Sequence, residues 1–240
     1  MAEILTSGEW KYTLVKLGAV IIGHAGKDDD LVVPDVIDGH PVKGIGNHAF
    51  AGRTSLRAVE LPEGLVQIGI CAFRNCTSLE SVTLREGLGC IDMRAFASCT
   101  SLASIGLPEG LGTVEEGAFE NCVSLTSVVL PEGCTFSDGA FKGCTSLETV
   151  SLPCDLEIIP PHAFEGCASL ASIELPEGLE VVCEGAFLGC TSLEGVRVPA
   201  SVAQLWGQAF GEPGAMTVTC PVGSYAEGWC RKTGTLFQTE

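Results

Sequence analysis

The sequence is poor in aromatic and basic residues, and it contains no long apolar run. Aromatic side chains make up 6% of its 240 residues, and 13 Lys and Arg stand against 30 Asp and Glu, which gives a formal charge of -17. This charge would repel a phosphate backbone or an anionic membrane. The longest strongly apolar run, Leu17 to Gly23, is far shorter than the roughly 18 residues that a membrane-spanning helix needs. We therefore expect neither nucleic-acid binding nor membrane insertion.

A secretory signal is also missing from the start of the chain. Acidic residues and a Trp occupy the opening segment MAEILTSGEWKYTLVKLG, where a signal would have a basic stretch followed by an apolar segment. This absence favours a location inside the cell, unless the chain is a mature or trimmed form.

Glycine and proline are abundant, with 30 Gly and 12 Pro, and this abundance indicates many turns. The turns belong to an internal repeat that is marked by the pair Ala-Phe. Its Phe recurs eight times at intervals of 23 residues, with a single interval of 22. A period this regular indicates a solenoid in which each coil buries its apolar residues against its neighbours. The repeated residues are Phe50, Phe73, Phe96, Phe119, Phe141, Phe164, Phe187 and Phe210.

The units follow the pattern Leu-x-x-Val-x-Leu, as in Leu125, Val128 and Leu130, and in most of them a Pro comes next. The last two apolar positions alternate with outward ones, which predicts a short strand that a proline ends. Strands stacked from coil to coil would form a parallel sheet. A Pro-Glu-Gly turn then reverses the chain, since Pro presets one backbone angle and Gly accepts a positive one.

A second apolar pair, such as Leu111 and Val114, follows the turn and precedes the next Ala-Phe. The unit of 22 residues lacks one position in this region, so that Cys134 and Phe136 take the places of the usual pair. We expect a local bulge there.

The whole repeat, LxxVxLPEGLxxIxxxAFxxCTS, resembles the BspA-type, or Treponema-type, leucine-rich repeat. The resemblance extends from about Val33 to Phe210, and the family occurs mostly in bacterial surface proteins and in some parasitic protists. It implies a mainly β repeat protein, a right-handed leucine-rich-repeat solenoid of about eight units with stacked parallel strands. It also implies binding or adhesion rather than enzymatic activity.

The two ends of the chain depart from the repeat in ways that predict caps. The segment from Gly8 to Gly23 alternates as a hairpin would. Ser224 to Gly234 has the N-cap and the terminal glycine of a short helix, and a final strand follows over residues 235–238. We therefore predict a single domain over residues 1–240, with an N-terminal cap at 1–32, repeats at 33–210 and a C-terminal cap at 211–240.

The 13 Cys raise the question of disulfide or metal chemistry. Six of them lie three residues after the repeated Phe, where a thiol would point inward as a compact apolar group with a weak donor for turn carbonyls. Neighbouring thiols would lie roughly 5 Å apart, but stacking in register does not supply the side-chain directions of a disulfide. We therefore expect reduced thiols. This cysteine ladder consists of Cys76, Cys99, Cys122, Cys144, Cys167 and Cys190.

Neither a metal site nor a catalytic site is predicted. Cys-x-x-Cys is absent, and the four His have no companion at metal-ligand spacing. A ladder of Ser residues precedes the repeated Leu, but no His shares its phase, so no base is available to activate a hydroxyl. We accordingly expect no cofactor and no enzymatic activity. The histidines are His24, His40, His48 and His162.

A ladder of acidic residues follows the turn after each repeat strand. Two interpretations stay open: a solvated edge that keeps the sheet soluble, or weak binding of a cation or a basic partner. Its members are Glu63, Glu86, Glu109, Glu132 and Glu177.

The outward side chains of the repeat strands form the candidate binding face, which is small, flat and mildly polar. Because the Trp and Tyr residues fall in or near the end units, we expect a protein partner, or another copy of the chain, rather than a deep small-molecule pocket. The candidate contact residues are Glu60, Thr83, Ser104, Ser127, Val129, Thr149, Ser151, Ser172, Glu174 and Arg197.

Two hypotheses about function follow. The first is a non-catalytic protein-binding module in the cytoplasm, favoured by the missing signal and by the reduced thiols, because exposed thiols oxidise in an oxidising compartment. The alternative, which the resemblance implies, is a bacterial surface or secreted adhesin that binds host matrix or neighbouring cells.

Overall fold

The computed structural model describes residues 3–212 and 216–240. Within these residues it contains one helix and twenty strands, most of them only two or three residues long. The elements are β1 (Leu5–Ser7), β2 (Trp10–Val15), β3 (Gly18–His24), β4 (Asp30–Val32), β5 (Val36–Ile37), β6 (His40–Ile45), β7 (Ala58–Glu60), β8 (Gln67–Ile68), β9 (Ser81–Thr83), β10 (Cys90–Ile91), β11 (Thr113–Val114), β12 (Ser127–Val129), β13 (Thr135–Phe136), β14 (Thr149–Ser151), β15 (Ile158–Ile159), β16 (Val181–Val182), β17 (Gly195–Arg197), β18 (Gln204–Leu205), β19 (Thr217–Cys220), α1 (Tyr225–Thr233) and β20 (Leu236–Thr239).

The Leu-x-x-Val-x-Leu segments form parallel strands, as the sequence predicts; we call these the repeat strands. β4, β7 and β9 pair with one another, as do β12 and β14, and then β17, β19 and β20. In two units the strand is reduced to a single bridge, between Ser104 and Ser127 and between Glu174 and Arg197. β4 already belongs to this stack, although it lies at the end of the segment assigned to the N-terminal cap.

A second ladder of parallel strands, which the sequence analysis did not predict, is formed by the apolar pairs before Ala-Phe. We call these the short strands. β8, β10, β11 and β13 continue a nine-stranded sheet that starts in the N-terminal hairpin, and β15, β16 and β18 form a separate sheet. The second residue of each short strand is buried, as in the pair Ile91 and Val114. Most coils thus have a paired strand on two sides.

The prediction of a local bulge in the unit of 22 residues is wrong. β13 pairs with β11 without any shift of register. The unit is shorter before the strand and not within it, because Cys134 is followed directly by β13 whereas Gly112 lies between Leu111 and β11. Phe136 takes the place of the usual Val or Ile, and its ring packs edge-on against Phe141 and Phe164, with centroids 6.2 and 5.8 Å away. The sheet nevertheless ends at β13, and β15 belongs to the next sheet; the position after β15 is Pro160, which has no amide to donate, whereas the equivalent amides of Ser137 and Cys183 each donate to the preceding coil.

The eight repeated Phe rings form one continuous stack at the centre of the solenoid. Adjacent ring centroids are 5.1 to 5.7 Å apart, and the ring planes are within 15° of parallel. None of the rings is more than 2% exposed. The backbone also joins the coils here, since the amide of Phe73 donates to the carbonyl of Ala95 at 2.7 Å and the same bond recurs along the stack.

Left-handed turns flank the Ala-Phe pair and explain the small or polar residues found there. In the central units Gly117 and Asn121, two residues on either side of Phe119, have φ values of 59° and 58°. The equivalent position in the next unit is Gly143, with φ 74°. A Cβ on Gly143 would collide with the side chain of Asn121, so this position requires glycine for both conformation and space.

Three antiparallel strands, β1 to β3, cover the N-terminal end, and β3 then pairs in parallel with β6. The hairpin of β5 and β6 turns at Asp38 and Gly39, whose φ values of 46° and 81° fit a type I′ turn. Asp38 also accepts hydrogen bonds from the hydroxyls of Ser7 and Tyr12 at 2.7 and 2.8 Å. These bonds connect the hairpin to the strands that cover it.

At the C-terminal end, α1 begins after Ser224, whose Oγ accepts from the amide of Glu227, and it ends at Gly234 with φ 78°. β20 follows and pairs in parallel with β19. The predicted caps also include residues 1–2 and 213–215, which lie outside the described residues. Among the described residues, no helix has both the length and the apolar character needed to cross a membrane.

Candidate binding face

The ten predicted contact residues are all exposed and lie on the repeat strands, at their bridges or beside them. We call this surface the repeat face. Alternate residues of a strand point to the same side, so the residues form two rows. Ser104, Ser127 and Thr149 are successive neighbours in one row, and Val129 pairs with Ser151 in the other. The structure thus brings the five central residues together.

The remaining five residues belong to two outer parts of the repeat face. Glu60 pairs with Thr83 at the N-terminal part, and Glu174 pairs with Arg197, beyond Ser172, at the C-terminal part. Within the described residues, no β-pairing joins β9 to the bridge that follows it or β14 to residues 172–174. The β-pairing that underlies the face is therefore interrupted twice.

A cleft lies at the second interruption. It consists of two adjoining cavities with volumes of about 260 and 540 Å³, and Leu152, Ile173 and Glu174 line both of them. Leu152 and Ile173 contribute apolar surface, whereas Glu174 is exposed at the rim. The cleft therefore offers an apolar floor beside a carboxylate in the middle of an otherwise polar surface.

Arg197 is not a free cation at the edge of this cleft. Its guanidinium donates to Glu177 at 2.6 Å and to Glu240 at 2.7 Å, and these hydrogen bonds raise the pKa of Arg197 above its usual value. At the other end of the face, Glu60 lies 4.0 Å from Arg85. Charged residues of the repeat face are thus partly compensated by neighbours, which leaves Glu174 as its prominent charge.

The cysteine ladder points inward, as the sequence predicts, and every thiol finds the same partner. Cys122 Sγ donates to the carbonyl of Phe96 at 3.2 Å, and all six ladder thiols make the equivalent contact at 3.2 or 3.3 Å. Burial raises the pKa of Cys122 and of Cys190 to about 12 and that of Cys76 to about 11. These thiols stay protonated at neutral pH, and they are poor nucleophiles because the thiolate is the reactive form.

The acidic ladder is exposed throughout the chain. Two of its members already have partners: Glu132 Oε2 accepts from the amide of Cys154 at 3.0 Å, and Glu177 pairs with Arg197. This ladder lies beside the repeat face, since each turn directly follows a repeat strand.

Sequence reasoning missed one cluster of polar residues, at the N-terminal hairpin. The imidazole of His24 lies between the carboxylates of Glu9 and Asp28, with N–O distances of 3.6 and 3.9 Å. Glu9 directly precedes β2 and His24 ends β3, so their proximity depends on the pairing of Trp10 with His24. The spacing of these residues along the chain does not indicate this contact. The pairing register of the β2–β3 hairpin would have predicted it, because that register places Trp10 opposite His24.

Comparison with known proteins gives a consistent result. The profile described as "BspA type Leucine rich repeat region" matches six copies, over residues 36–137 and 134–221. A leucine-rich repeat protein from Bacteroides ovatus ATCC 8483 is similar, with a TM-score of 0.78 and 27% identity over 92% of this chain, which spans 62% of that protein. The T. pallidum leucine rich repeat protein TpLRR has a TM-score of 0.63 and 29% identity, with 98% of each chain covered. No curated protein gives a significant match.

The profile covers most of the chain, and the stacked parallel strands, the Phe stack and the inward thiols account for its repeated positions. The chain therefore belongs to the BspA-type leucine-rich repeat family, whose fold is typical of protein-interaction modules.

Proposed function

We propose that this protein is a non-catalytic binding module that holds a protein partner on the repeat face. The observation that supports this proposal is the alignment of small, exposed side chains in two rows across successive coils. Rows of Ser and Thr offer hydroxyl groups at regular intervals and little obstruction to an approaching backbone. A protein surface can contact such a face over many coils, with a small contribution from each.

The cleft between β14 and residues 172–174 is the proposed anchor point of the partner. Binding energy usually concentrates at a few residues that enter well-packed pockets. The apolar floor at Leu152 and Ile173 would accept an aliphatic or aromatic side chain, and the carboxylate of Glu174 at the rim would favour a basic neighbour. The net charge of -17 likewise favours a basic partner surface.

A matched pair of double variants tests this placement. Ser151→Arg with Glu174→Arg changes both walls of the cleft. Thr135→Arg with Glu157→Arg likewise replaces one hydroxyl residue and one Glu, beside the cavity between β13 and β15 on the short-strand side. All four residues are exposed. Wild type and both variants are used to capture proteins from the native cells, and the captured proteins are identified by mass spectrometry.

A partner that the wild type and the short-strand variant capture, and that the cleft variant loses, supports the proposal. Equal capture by all three proteins contradicts the placement on the repeat face. Another copy of the chain is a specific outcome of the same experiment, and light scattering at several protein concentrations identifies it.

We also propose that the module acts inside the cell, with the bacterial adhesin as the alternative. The reduced, buried ladder thiols and the partly exposed Cys90 and Cys183, together with the exposed Cys154, support this location. Protease treatment of intact native cells, followed with an antibody, tests it. Survival of the intact protein until lysis agrees with an internal location, and its loss from whole cells would favour the adhesin and direct the search to host matrix proteins.

A further inference from the structure

Three potential metal ligands meet where the N-terminal hairpin joins the first coil. One ligand atom each of Glu9, His24 and Asp28 lies within 4.8 Å of the other two. His24 Nε2 is 3.6 Å from Glu9 Oε2, and His24 Nδ1 is 3.9 Å from Asp28 Oδ2. Both distances are too long for hydrogen bonds, so the three groups face one another without bonding directly.

His24 supplies an independent observation that points to a ligand. Its side chain is only 5% exposed, and the ring packs against Trp10 with centroids 4.4 Å apart. Nδ1 is buried and has no hydrogen-bond partner among the described residues. A buried polar atom without a partner is costly and needs an explanation. Here the nearest carboxylate oxygen lies across a gap rather than in contact.

Gly26 keeps this gap open. A Cβ on Gly26 would lie 2.7 Å from Glu9 Oε2, 2.7 Å from Asp28 Oδ2 and 2.5 Å from the Cε1 atom of His24. Any side chain at this position would therefore fill the space that the three groups share.

The loop that contains these groups is held in place before any ion arrives. The Arg53 guanidinium donates to the carbonyls of Gly26 and Asp28 at 3.0 and 2.9 Å, and the amide of Ala25 donates to the carbonyl of Glu9 at 2.8 Å. Backbone movement is thus restricted, whereas the carboxylates of Glu9 and Asp28 are 63% and 57% exposed and can rotate. Because Glu9 Oε2 is nearest to Nε2 and Asp28 Oδ2 is nearest to Nδ1, one of the two side chains must rotate toward the other nitrogen for both to share an ion.

We propose that Glu9, His24 and Asp28 bind a divalent transition-metal ion of the zinc type, with water completing the coordination. One imidazole nitrogen and two carboxylate oxygens are a ligand set that Zn²⁺ accepts at about 2.0 to 2.2 Å, and imidazole favours this class of ion over Mg²⁺ or Ca²⁺. The ion would join the β2–β3 hairpin to the loop before β4. It would therefore stabilise the cap that closes the open end of the solenoid.

Calorimetric titration of the reduced protein with ZnCl2 tests the site, with Glu9→Gln plus Asp28→Asn as the principal variant. These replacements keep the size of each side chain and lie at exposed positions, so the hairpin should still fold. Glu80→Gln plus Asp138→Asn is the matched control, because it makes the same two replacements at exposed residues outside both the acidic ladder and this cluster. Gly26→Ala retains all three ligands but fills the gap. Circular dichroism confirms that each variant is folded.

We expect the wild type and the control to bind one Zn²⁺ at this site and to melt at a higher temperature with zinc, since a ligand of the folded state stabilises it. The principal variant should bind at least about tenfold more weakly, and Gly26→Ala should also lose affinity. Equal zinc affinity in the wild type and the principal variant, or no binding by the wild type, overturns the proposal.

The 13 Cys require a separate check, because thiolates also bind zinc. The principal variant retains every Cys, so a thiolate site would survive in it unchanged. Co²⁺ replaces Zn²⁺ in the second measurement, and it should quench the fluorescence of Trp10, which packs on His24. Quenching in the wild type but not in the principal variant supports the site, whereas an intense sulfur-to-cobalt absorption band in both proteins contradicts it.

Discussion

Burial of the cysteine ladder should make the protein unfold at alkaline pH. The ordinary pKa of a Cys thiol is 9.0, and burial raises that of Cys122 to about 12 in the folded state. Above pH 9 the thiols of the unfolded chain lose their protons, whereas those of the folded chain keep them until the pH reaches the folded pKa. The unfolded state then binds fewer protons, so the free energy of unfolding falls as pH rises through this window.

The size of the effect follows from the shift. Each pH unit between the unfolded and folded pKa removes about 1.4 kcal/mol of stability per thiol. For Cys122, pH 10.5 is about 1.5 units above the unfolded pKa, which corresponds to a loss of about 2 kcal/mol. Burial raises the pKa of Cys76 to about 11 and that of Cys190 to about 12, so these two thiols and Cys122 together lose about 6 kcal/mol at pH 10.5. That loss is comparable with the roughly 5–15 kcal/mol that stabilise a whole protein, and burial also raises the pKa of the other three ladder thiols.

Urea unfolding, followed by circular dichroism between pH 8 and 10.5 in the presence of a reductant, measures the slope of stability against pH. Cys122→Ala should reduce this slope above pH 9.5 by about 1.4 kcal/mol per pH unit. Ser124→Ala, two residues away, removes no titrating group and should leave the slope unchanged. Only the slopes are compared, since both variants can change the stability at neutral pH. An unchanged slope in Cys122→Ala would refute the reasoning.

Two further predictions concern packing and hydrogen bonding. Phe119→Ala leaves a cavity between Phe96 and Phe141, whose rings lie 5.4 and 5.5 Å away, and should cost about 3–5 kcal/mol in urea unfolding; a loss below about 1 kcal/mol would contradict the role of the stack. Asp38→Asn removes the carboxylate whose hydrogen bond is the largest cause of the raised pKa of Tyr12. Ultraviolet titration should therefore show that pKa returning toward 10.0, and no change would refute this cause.

The sequence was sufficient to predict the repeated core because each position occurs up to eight times. A single Cys such as Cys122 is ambiguous, but six Cys in the same phase indicate one environment, and the structure buries them all. The same redundancy identified the repeated Phe as a core residue and located the outward residues of the repeat strands. Val129, an apolar residue in an outward phase, was correctly placed on the surface and is 64% exposed. Phase, and not hydrophobicity, determined its position.

Features that depend on contacts between coils were not predictable in this way. The short strands contain two residues each, too few for an alternating pattern to appear. The replacement of Val or Ile by Phe136 was visible in the sequence, but the edge-on packing of its ring against Phe141 and Phe164 was not. The contact of His24 with Glu9 depends on the register of a hairpin that lies outside the repeat.

Two of the breaks in the sheets show what holds the coils together. The short strands β13 and β15 are unpaired at a junction where the repeat strands β12 and β14 remain paired; at the next junction the repeat strands separate and β15 pairs with β16. The stack continues through both, with Phe141, Phe164 and Phe187 spaced at 5.7 and 5.6 Å. Cys167 and Cys190 still donate to the carbonyls of Phe141 and Phe164. The Phe stack and the thiol hydrogen bonds therefore continue through both junctions. For this reason the cleft between β14 and residues 172–174 does not separate the solenoid into two parts.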